Sequence, residues 1–169
     1  MPASRLDPRI AVYTGTFDPV HRGHLDVIDR GRRLFDRLIV GVGINPDKTT
    51  FFDIDERVRL IEGVTAGFDN VEVRKFDGLT VRFVRQAGAR IMVRGLRTLS
   101  DMEYEFTMSL MNRNLDPEIE TVFLMAKEEF SHVSSSLLRQ IGQLGGDLSK
   151  FLPDPVKDAL VQRVKSARG

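Results

Sequence analysis

The chain has 169 residues, of which 41% are hydrophobic and 29% charged, and its formal net charge is +1 at pH 7. These values are typical of one compact globular domain, which at this length buries roughly 70% of the surface of its unfolded chain. The absence of cysteine excludes disulfides, thiolate nucleophiles and cysteine-ligated zinc. The small net charge argues against a general attraction to nucleic acid or membranes. We therefore predict a single domain over residues 1–169, in which any anion site is local.

The N-terminal stretch MPASRLDP, residues 1–8, lacks the apolar core that a signal peptide requires. No apolar run in the sequence approaches the ~20 residues that cross a membrane. We therefore predict a loose polar tail over residues 1–8 and a cytoplasmic protein.

Short apolar runs alternate with helical patterns along the chain. Several runs are apolar almost throughout, which is typical of strands covered on both faces of a sheet. The alternation predicts an α/β fold with a doubly wound, five-stranded parallel sheet and right-handed crossovers. The predicted strands are Arg9–Gly15, Arg37–Ile44, Asn70–Phe76, Arg90–Gly95 and Glu120–Ala126.

Helical spacing of apolar residues marks the segments between the strands. Gly88 follows one such segment and suits a helix C-terminal cap. At the C-terminal end, Asp154 and Pro155 suit an N-cap and a first turn. The apolar positions in helical register are Leu25, Ile28 and Phe35; Val58, Ile61 and Val64; Leu79, Phe83 and Ala87; and Val156, Leu160 and Val164.

The segment SDMEYEFTMSLMNRN is ambiguous, because its polar and apolar residues alternate as in a strand between Met102 and Leu110. Ser100 and Glu103, however, have the spacing of a capping box, and apolar residues follow at helical intervals. We therefore predict a helix with apolar residues on two faces, one of which a partner subunit covers.

The stretch TGTFDPVHRGHLDV leaves the first predicted strand and enters the first helix, at the carboxyl edge where open α/β sheets bind ligands. Gly15 permits an unusual turn, Asp18 and Pro19 suit helix entry, and Gly23 lets a ligand approach the first helical turn. Unpaired N–H groups and the positive end of the helix dipole favour a phosphate there.

His21 and His24 lie three residues apart, so both imidazoles can reach the same ligand from one helix face. A zinc site needs further ligands, and His132, the third histidine, lies in a distant segment. We favour phosphate contact over a metal site or over two solvated helix-start histidines.

Together with NPDKTTFF, VRGLRTLSDMEYE and FSHVSSSLLR, the motif GTFDPVHRGH resembles the HxGH nucleotidyltransferases, and specifically the bacterial phosphopantetheine adenylyltransferase family. The resemblance runs from about Ile10 to the C-terminal helix. It implies a Rossmann-like nucleotidyltransferase fold and transfer of AMP from ATP to 4'-phosphopantetheine, which yields dephospho-coenzyme A and pyrophosphate. It also implies Mg²⁺ held mainly by the ATP phosphates, and a homohexamer.

Residue roles follow from the same resemblance. It implies that His24 is catalytic and stabilises charge on the α-phosphate. It assigns contacts with the acceptor substrate to Thr16, Lys48, Thr80 and Arg94. It assigns ATP binding to Thr16, Phe17, His24, Gly95, Leu96, Arg97, Glu105, Phe130, Ser131, His132, Val133, Ser134, Ser135 and Ser136.

The chemistry of these residue types agrees with such roles. Adenylyl transfer needs placed donors more than a covalent nucleophile. Arg94 and Arg97 stand on either side of Gly95, so two guanidinium groups can reach one anion. Lys48 supplies a mobile point charge from a loop, a position in which lysine is otherwise merely solvated. Three consecutive serines at a helix start are more commonly competing N-caps than phosphate ligands.

Two positions depart from the family pattern. The family usually carries threonine where this chain has His21, whereas related cytidylyl and nicotinamide-nucleotide transferases carry histidine. Thr80 replaces a residue that is usually larger and apolar. A second HxGH nucleotidyltransferase with another phosphate acceptor therefore stays open as an alternative. A nucleotide-binding regulatory module without catalysis is disfavoured, because His24, Lys48 and both arginines are all present.

Overall fold

The computed structural model describes residues 6–44 and 49–167 of the chain. Its centre is one five-stranded sheet in the order β3-β2-β1-β4-β5, and every neighbouring pair of strands is parallel. The predicted doubly wound parallel sheet is therefore confirmed, with strand bounds that differ from the prediction by two residues at most. The strands are β1 (Asp7–Gly15), β2 (Arg37–Gly43), β3 (Val71–Phe76), β4 (Ala89–Leu96) and β5 (Glu120–Met125).

Six α-helices connect or follow the strands within the described residues, and a short 3-10 helix spans Glu128–Phe130. None of them is long and apolar enough to cross a membrane. Gly88 has a φ of +70° just beyond the third helix, as a C-terminal glycine does. The helices are α1 (Arg22–Leu34), α2 (Ile54–Thr65), α3 (Thr80–Gln86), α4 (Leu99–Leu115), α5 (Ser135–Gln143) and α6 (Asp154–Ser166).

Hydrophobic cores lie on both faces of the sheet because successive side chains of a strand point to opposite sides. In β1, Ala11 and Tyr13 join the larger core, which includes residues of α1, α2, α5 and α6. Val12, between them, joins a smaller core that includes residues of α3. Coverage on both faces explains why the central strands are apolar almost throughout.

The prediction of a loose tail over residues 1–8 is wrong for residues 6–8. Residues 1–5 lie outside the described part of the chain. Asp7 and Pro8 belong to β1, and the Asp7 N–H donates to the Gly88 carbonyl at 2.9 Å. Leu6 is only 5% exposed and packs in the smaller core. A polar composition concealed this extension because its partners lie about 80 residues away in the chain.

The ambiguous segment is helical, as predicted, and forms α4. Its predicted Ser100–Glu103 capping box is wrong, since Thr98 is the N-cap and its hydroxyl accepts from the Asp101 N–H at 3.2 Å. No residue of α4 is buried. Its large apolar side chains are exposed at Leu99, Met102, Tyr104, Phe106, Met108, Leu110, Met111 and Leu115.

Candidate active site

A cavity of about 480 Å³ opens at the carboxyl ends of β1 and β4, where the strand order reverses. This is the place at which open α/β sheets bind their ligands. We call it the first cavity. Its polar and titratable lining includes Thr14, Thr16, Asp18, His21, His24, Thr49, Thr50, Arg94, Arg97, Asp101, Glu105, Ser134, Ser135, Ser136 and Arg139.

A second cavity of about 590 Å³ adjoins the first. Its lining combines apolar side chains such as Phe76, Met92 and Met108 with the polar side chains of Ser109 and Asn112. The two cavities meet along one border. They share the lining residues Thr14, Gly15, Thr16, Arg94 and Glu105.

The turn after β1 carries the only left-handed non-glycine residue among those described, Phe17, with a φ of +50°. The sequence predicts an unusual turn at Gly15, and the structure moves it to Phe17. Gly15 instead makes room for a ring, since a Cβ there would lie 3.0 Å from the Phe17 side chain. The Asp18 carboxylate then accepts from the N–H groups of Phe51 and Phe52 at 2.7 and 2.8 Å. Asp18 and Pro19, which the sequence suggested for helix entry, therefore lie in the turn, because α1 begins only at Arg22.

Three carbonyl oxygens at the end of β1 and in the turn that follows it each accept a hydrogen bond from a different arginine. The Thr14 carbonyl accepts from Arg94 at 2.6 Å, the Thr16 carbonyl from Arg57 at 2.7 Å, and the Asp18 carbonyl from Arg139. The arginines come from β4, α2 and α5, respectively. The backbone beside both cavities is therefore held from three sides by side chains distant in sequence.

His21 and His24 form a reciprocal capping box at the start of α1. His21 is the N-cap, and its Nδ1 accepts from the His24 N–H at 3.3 Å, while the His24 Nδ1 accepts from the His21 N–H at 3.2 Å. The two rings stack with their centroids 3.6 Å apart. Gly23 lines the first cavity and also leaves room for this pair, since a Cβ there would lie 3.0 Å from the His21 ring.

These contacts set the protonation of both histidines. Each Nδ1 accepts a hydrogen bond, so each neutral ring carries its proton on Nε2 and can donate from that atom. Burial, aided by the charge of Arg97, lowers the pKa of His21 to about 3. Burial, with His21 and the two arginines adding to it, lowers the pKa of His24 well below 6.5. At neutral pH the first cavity therefore contains a neutral hydrogen-bond donor at His24.

Arg94 and Arg97 are both paired with carboxylates of α4. Glu105 accepts from the Nε and Nη2 atoms of Arg94 at 2.8 and 2.6 Å. Burial opposes the charge of Arg94, but the Glu105 pairing outweighs it and raises the pKa of the guanidinium. Asp101 accepts from the Arg97 Nε at 2.8 Å, and the Val133 carbonyl accepts from its Nη1 at 2.6 Å. The sequence predicts two arginines reaching one anion, and the structure shows each one already oriented by an acidic partner.

The three serines at the start of α5 have separate tasks. Ser134 is the N-cap, and its hydroxyl accepts from the Leu137 N–H at 3.2 Å. The Ser135 hydroxyl donates to the Pro19 carbonyl at 2.8 Å, which ties α5 to the turn after β1. The Ser136 hydroxyl accepts from Arg139 at 3.4 Å. All three nevertheless line the first cavity, so their N-terminal helical turn faces it.

The structure brings together most of the residues predicted for the site. Those lining the first cavity are Thr16, Phe17, His24, Gly95, Arg97, Glu105, Phe130, Ser134, Ser135 and Ser136. Thr16, Thr80 and Arg94 line the second. Lys48 lies outside the described residues. Neither cavity is lined by Leu96, Ser131, His132 or Val133.

Each of these four has another environment. Leu96 and Val133 are buried. The Ser131 hydroxyl donates to the Glu128 carbonyl at 2.9 Å. The exposed His132 ring lies edge-on to Phe151, with centroids 5.9 Å apart.

Sequence reasoning did not select Arg57, Arg139 or the carboxylate of Asp18 as site residues. Arg57 carries the clearest signal, because it stands four residues before Ile61 on the face that α2 buries. A charged residue in an apolar stripe indicates a specific buried partner. The sequence pattern of α2 does not show which group that partner is.

Comparisons with known proteins agree with this geometry. A family profile described as cytidylyltransferase-like matches residues 12–141. A crystal structure provisionally assigned as a nicotinate-nucleotide adenylyltransferase from Vibrio parahaemolyticus is similar in fold, with a TM-score of 0.69 at 19% identity. The similarity covers 92% of this chain and 93% of that chain. The fold and site thus define a nucleotidyltransferase of the cytidylyltransferase-like class.

Curated relatives narrow the class. A phosphopantetheine adenylyltransferase from Rhodopirellula baltica is 53% identical over 94% of this chain and 90% of that protein. Another phosphopantetheine adenylyltransferase, from Thioalkalivibrio sulfidiphilus, is 52% identical over 92% of this chain and 98% of that protein. A third, from Caldanaerobacter subterraneus subsp. tengcongensis, is 48% identical over 94% of this chain and 99% of that protein. The chain belongs to the phosphopantetheine adenylyltransferase family.

The buried histidine pair predicts acid sensitivity. An unfolded histidine titrates near 6.5, whereas His21 in the folded chain titrates near 3, so the unfolded state binds more protons between these values. The stabilisation is therefore complete above pH 6.5 and is lost as the pH falls towards 3. We expect the free energy of unfolding in urea to fall by up to about 1.4 kcal/mol per pH unit for each histidine.

The matched variants are His21→Thr, which keeps an N-cap acceptor, and His132→Thr, which alters an exposed ring outside the pair. His21→Thr should show a shallower decline of unfolding free energy below pH 6.5, and His132→Thr should follow the unaltered chain. Equal slopes for all three proteins would contradict the buried neutral pair.

Proposed function

We propose that the chain transfers the adenylyl group of ATP to 4'-phosphopantetheine, giving dephospho-coenzyme A and pyrophosphate. A phosphate oxygen of the acceptor attacks the α-phosphorus of ATP in line. The bond from that phosphorus to the α–β bridging oxygen breaks, and pyrophosphate leaves. No covalent enzyme intermediate is needed, in keeping with a chain that contains no cysteine.

The observation that carries this proposal is the pair of cavities with one shared border. ATP occupies the first cavity, beside His24 and the starts of α1 and α5. The pantetheine arm, which alternates apolar carbons with amides, occupies the mixed lining of the second cavity, including Thr80. The acceptor phosphate then lies at the border, next to Arg94 and Thr16, where it can reach the α-phosphate. The family resemblance assigns Lys48, which lies outside the described residues, to the same acceptor phosphate.

His24 acts on the charge that grows on the α-phosphate oxygens during transfer. Its Nε2 is the remaining donor, since Nδ1 accepts from the His21 N–H. A neutral ring keeps this proton in place without adding charge to the ground state, and a donor aimed at the developing charge lowers the barrier. His24 is the proposed catalytic residue.

The triphosphate is bound by two helix N-termini as well as by side chains. The first turns of α1 and α5 both line the first cavity, and each contributes the positive end of a helix dipole. The first-turn N–H groups without a hydrogen-bond partner among the described residues are those of Gly23 in α1 and of Ser135 and Ser136 in α5. Thr16, the Phe17 N–H and the three serines add donors. The remaining proposed contacts with ATP come from Gly95, Leu96, Arg97, Glu105, Phe130, Ser131, His132 and Val133.

The carboxylates of the first cavity are engaged within the chain. Asp18 accepts from two backbone N–H groups, Asp101 pairs with Arg97, and Glu105 pairs with Arg94. Among the described residues, no group of three or more His, Asp or Glu side chains could hold a metal ion. This donor set fits Mg²⁺ held mainly by the ATP phosphates, where it would neutralise charge on the departing pyrophosphate.

We also propose that the chain works in the cytoplasm as a homo-oligomer, a hexamer by family resemblance. The exposed apolar side chains of α4 support the assembly, because patches of this kind mark protein interfaces. Burying them between subunits would remove that surface from water.

The first prediction for the reaction concerns His24→Ala, measured by pyrophosphate release from ATP and 4'-phosphopantetheine. Loss of one placed donor should lower kcat by about 10²- to 10³-fold. ATP binding, measured by calorimetry, should change less, because the donor acts mainly in the transition state.

His21→Thr is the matched control and should retain kcat within about tenfold, since threonine can cap α1. CTP in place of ATP, and other phosphorylated acceptors, test the alternative substrates in the same assay. A folded His24→Ala protein with near-normal kcat would contradict the catalytic role.

Arg94 and Arg97 should affect different substrates. Arg94 borders both cavities, whereas Arg97 lines the first alone. Arg94→Ala should therefore raise the KM for 4'-phosphopantetheine by about 10- to 100-fold, the range expected for a lost charged hydrogen bond, with a smaller change for ATP. Arg97→Ala should raise the KM for ATP. The opposite pattern in steady-state kinetics would overturn these assignments.

The assembly proposal predicts that Phe106→Glu with Leu110→Glu yields smaller species in analytical ultracentrifugation. Both side chains are exposed apolar groups of α4 that line neither cavity, so the charges would act on the interface. Lys165→Glu, on α6, is the control and should leave the sedimenting mass unchanged. An unchanged mass for the α4 variant would contradict an interface at this surface.

A further inference from the structure

Arg57 is a buried arginine that has no carboxylate among its hydrogen-bond partners within residues 6–44 and 49–167. Its residue exposure is 3%, and no described Asp or Glu forms an ion pair with its guanidinium. Asp18 and Asp53 act on it only through longer-range Coulomb attraction. Because burying a charge is costly, arginines in the interior usually have a directly bonded acidic partner. The contacts that Arg57 makes instead therefore point to a particular task.

Those contacts are three main-chain carbonyls from three separate segments. Nη1 donates to the Thr16 carbonyl at 2.7 Å and to the Gly43 carbonyl at 3.0 Å, and Nε donates to the Phe52 carbonyl at 3.2 Å. Gly43 ends β2, and Phe52 precedes α2. Thr16 alone of the three lines the first cavity. Arg57 itself lines neither cavity, so it holds the Thr16 oxygen from the buried side.

This contact determines which way the next N–H points. The peptide between Thr16 and Phe17 is trans, and in a trans peptide the C=O and N–H bonds point in opposite directions. With the Thr16 oxygen turned towards buried Arg57, the Phe17 N–H is turned away from it. That N–H has no hydrogen-bond partner among residues 6–44 and 49–167, and Phe17 lines the first cavity.

We propose that Arg57 is a positioning residue that holds the Thr16–Phe17 peptide so that the Phe17 N–H donates to a phosphate oxygen of the nucleotide. The inference rests on the proposed function, which places the ATP phosphates in the first cavity. Without Arg57, rotation of this peptide would remove a donor and turn a carbonyl oxygen towards the phosphate. Both changes weaken anion binding and the stabilisation of charge during transfer.

The test uses Arg57→Lys and Arg57→Ala. Lysine keeps a charge, but its single Nζ cannot reproduce bonds made by separate Nε and Nη1 atoms. Both variants should lower kcat per folded molecule by about 10- to 100-fold, as small displacements of catalytic groups do. ATP affinity, measured by calorimetry, should fall at least tenfold, and adenosine affinity should fall less than threefold, because adenosine has no phosphate.

Arg85→Ala is the matched control for lost stability. Arg85 donates to Asp116 and Glu118 and lines neither cavity. Its removal leaves the buried Asp116 without its ion-pair partner, just as removal of Arg57 leaves buried carbonyls without a donor. It should lower the melting temperature without changing kcat per folded molecule or the ratio of ATP to adenosine affinity. Millimolar guanidinium should restore part of the activity of Arg57→Ala by entering the vacated site, and should not raise the activity of Arg85→Ala.

The outcomes separate this inference from the function on which it rests. If the unaltered chain releases no pyrophosphate with any acceptor, the proposed reaction fails, while the ratio of ATP to adenosine affinity still tests Arg57. If the unaltered chain is active and the Arg57 variants match Arg85→Ala in kcat and in that ratio, the positioning role is overturned. Should Arg57→Ala not fold, the ratio measured on Arg57→Lys decides.

Discussion

A backbone turn can bind an anion only if its N–H groups, rather than its carbonyl oxygens, face the ligand, and the turn after β1 depends on arginines for this orientation. Carbonyls at residues 14, 16 and 18 each accept from an arginine of a different element. A left-handed residue, Phe17, stands in the middle of the turn. The strain of that residue persists because the surrounding hydrogen bonds over-determine the conformation. The N–H groups are thereby oriented before any substrate binds.

The same arginines connect the turn to the rest of the molecule. Arg94 holds the Thr14 carbonyl with one nitrogen and Glu105 with two others, so one guanidinium links β1, β4 and α4. Arg97 similarly links the end of β4 to α4 and to the loop before α5. Yet no residue of α4 is fully buried within one chain, and its large apolar side chains are exposed. The orientation of two arginines that line the first cavity therefore depends on a helix whose apolar surface has no cover within the described part of the chain.

The histidine pair combines local and long-range effects. The spacing of three residues allows reciprocal capping, and the capping directs both Nε2 atoms away from the helix backbone. Burial then keeps both rings neutral, so they add donors without adding charge. Under the proposed function, the first cavity would select anions through oriented dipoles and through arginines already paired with acids. A surplus of positive charge in its described lining is not required.

The sequence by itself determined the elements and their order, because helix and strand periodicity are properties of neighbouring residues. It indicated all five strands, the helical nature of α4, and the position of the HxGH motif at the end of β1. Most of the site residues that the family resemblance implied line the cavities, since parallel strands bring their carboxyl ends to one edge. The local sequence did not identify the N-cap of α4, because two nearby residues are equally suited to that position. Thr98 and Ser100 are both good caps, and only the structure shows that Thr98 is used.

Tertiary structure alone decided which groups are joined across the sheet. The pairing of Asp7 with Gly88, the burial of Arg57 against three carbonyls, and the engagement of Arg94 by Glu105 all connect distant segments. A charged residue has the same letter in the sequence whether its partner is water, a carboxylate or a carbonyl. Which partner it has depends on how whole helices and strands pack together. The energy of that packing comes from many contacts between residues distant in sequence, so a local sequence pattern cannot predict it.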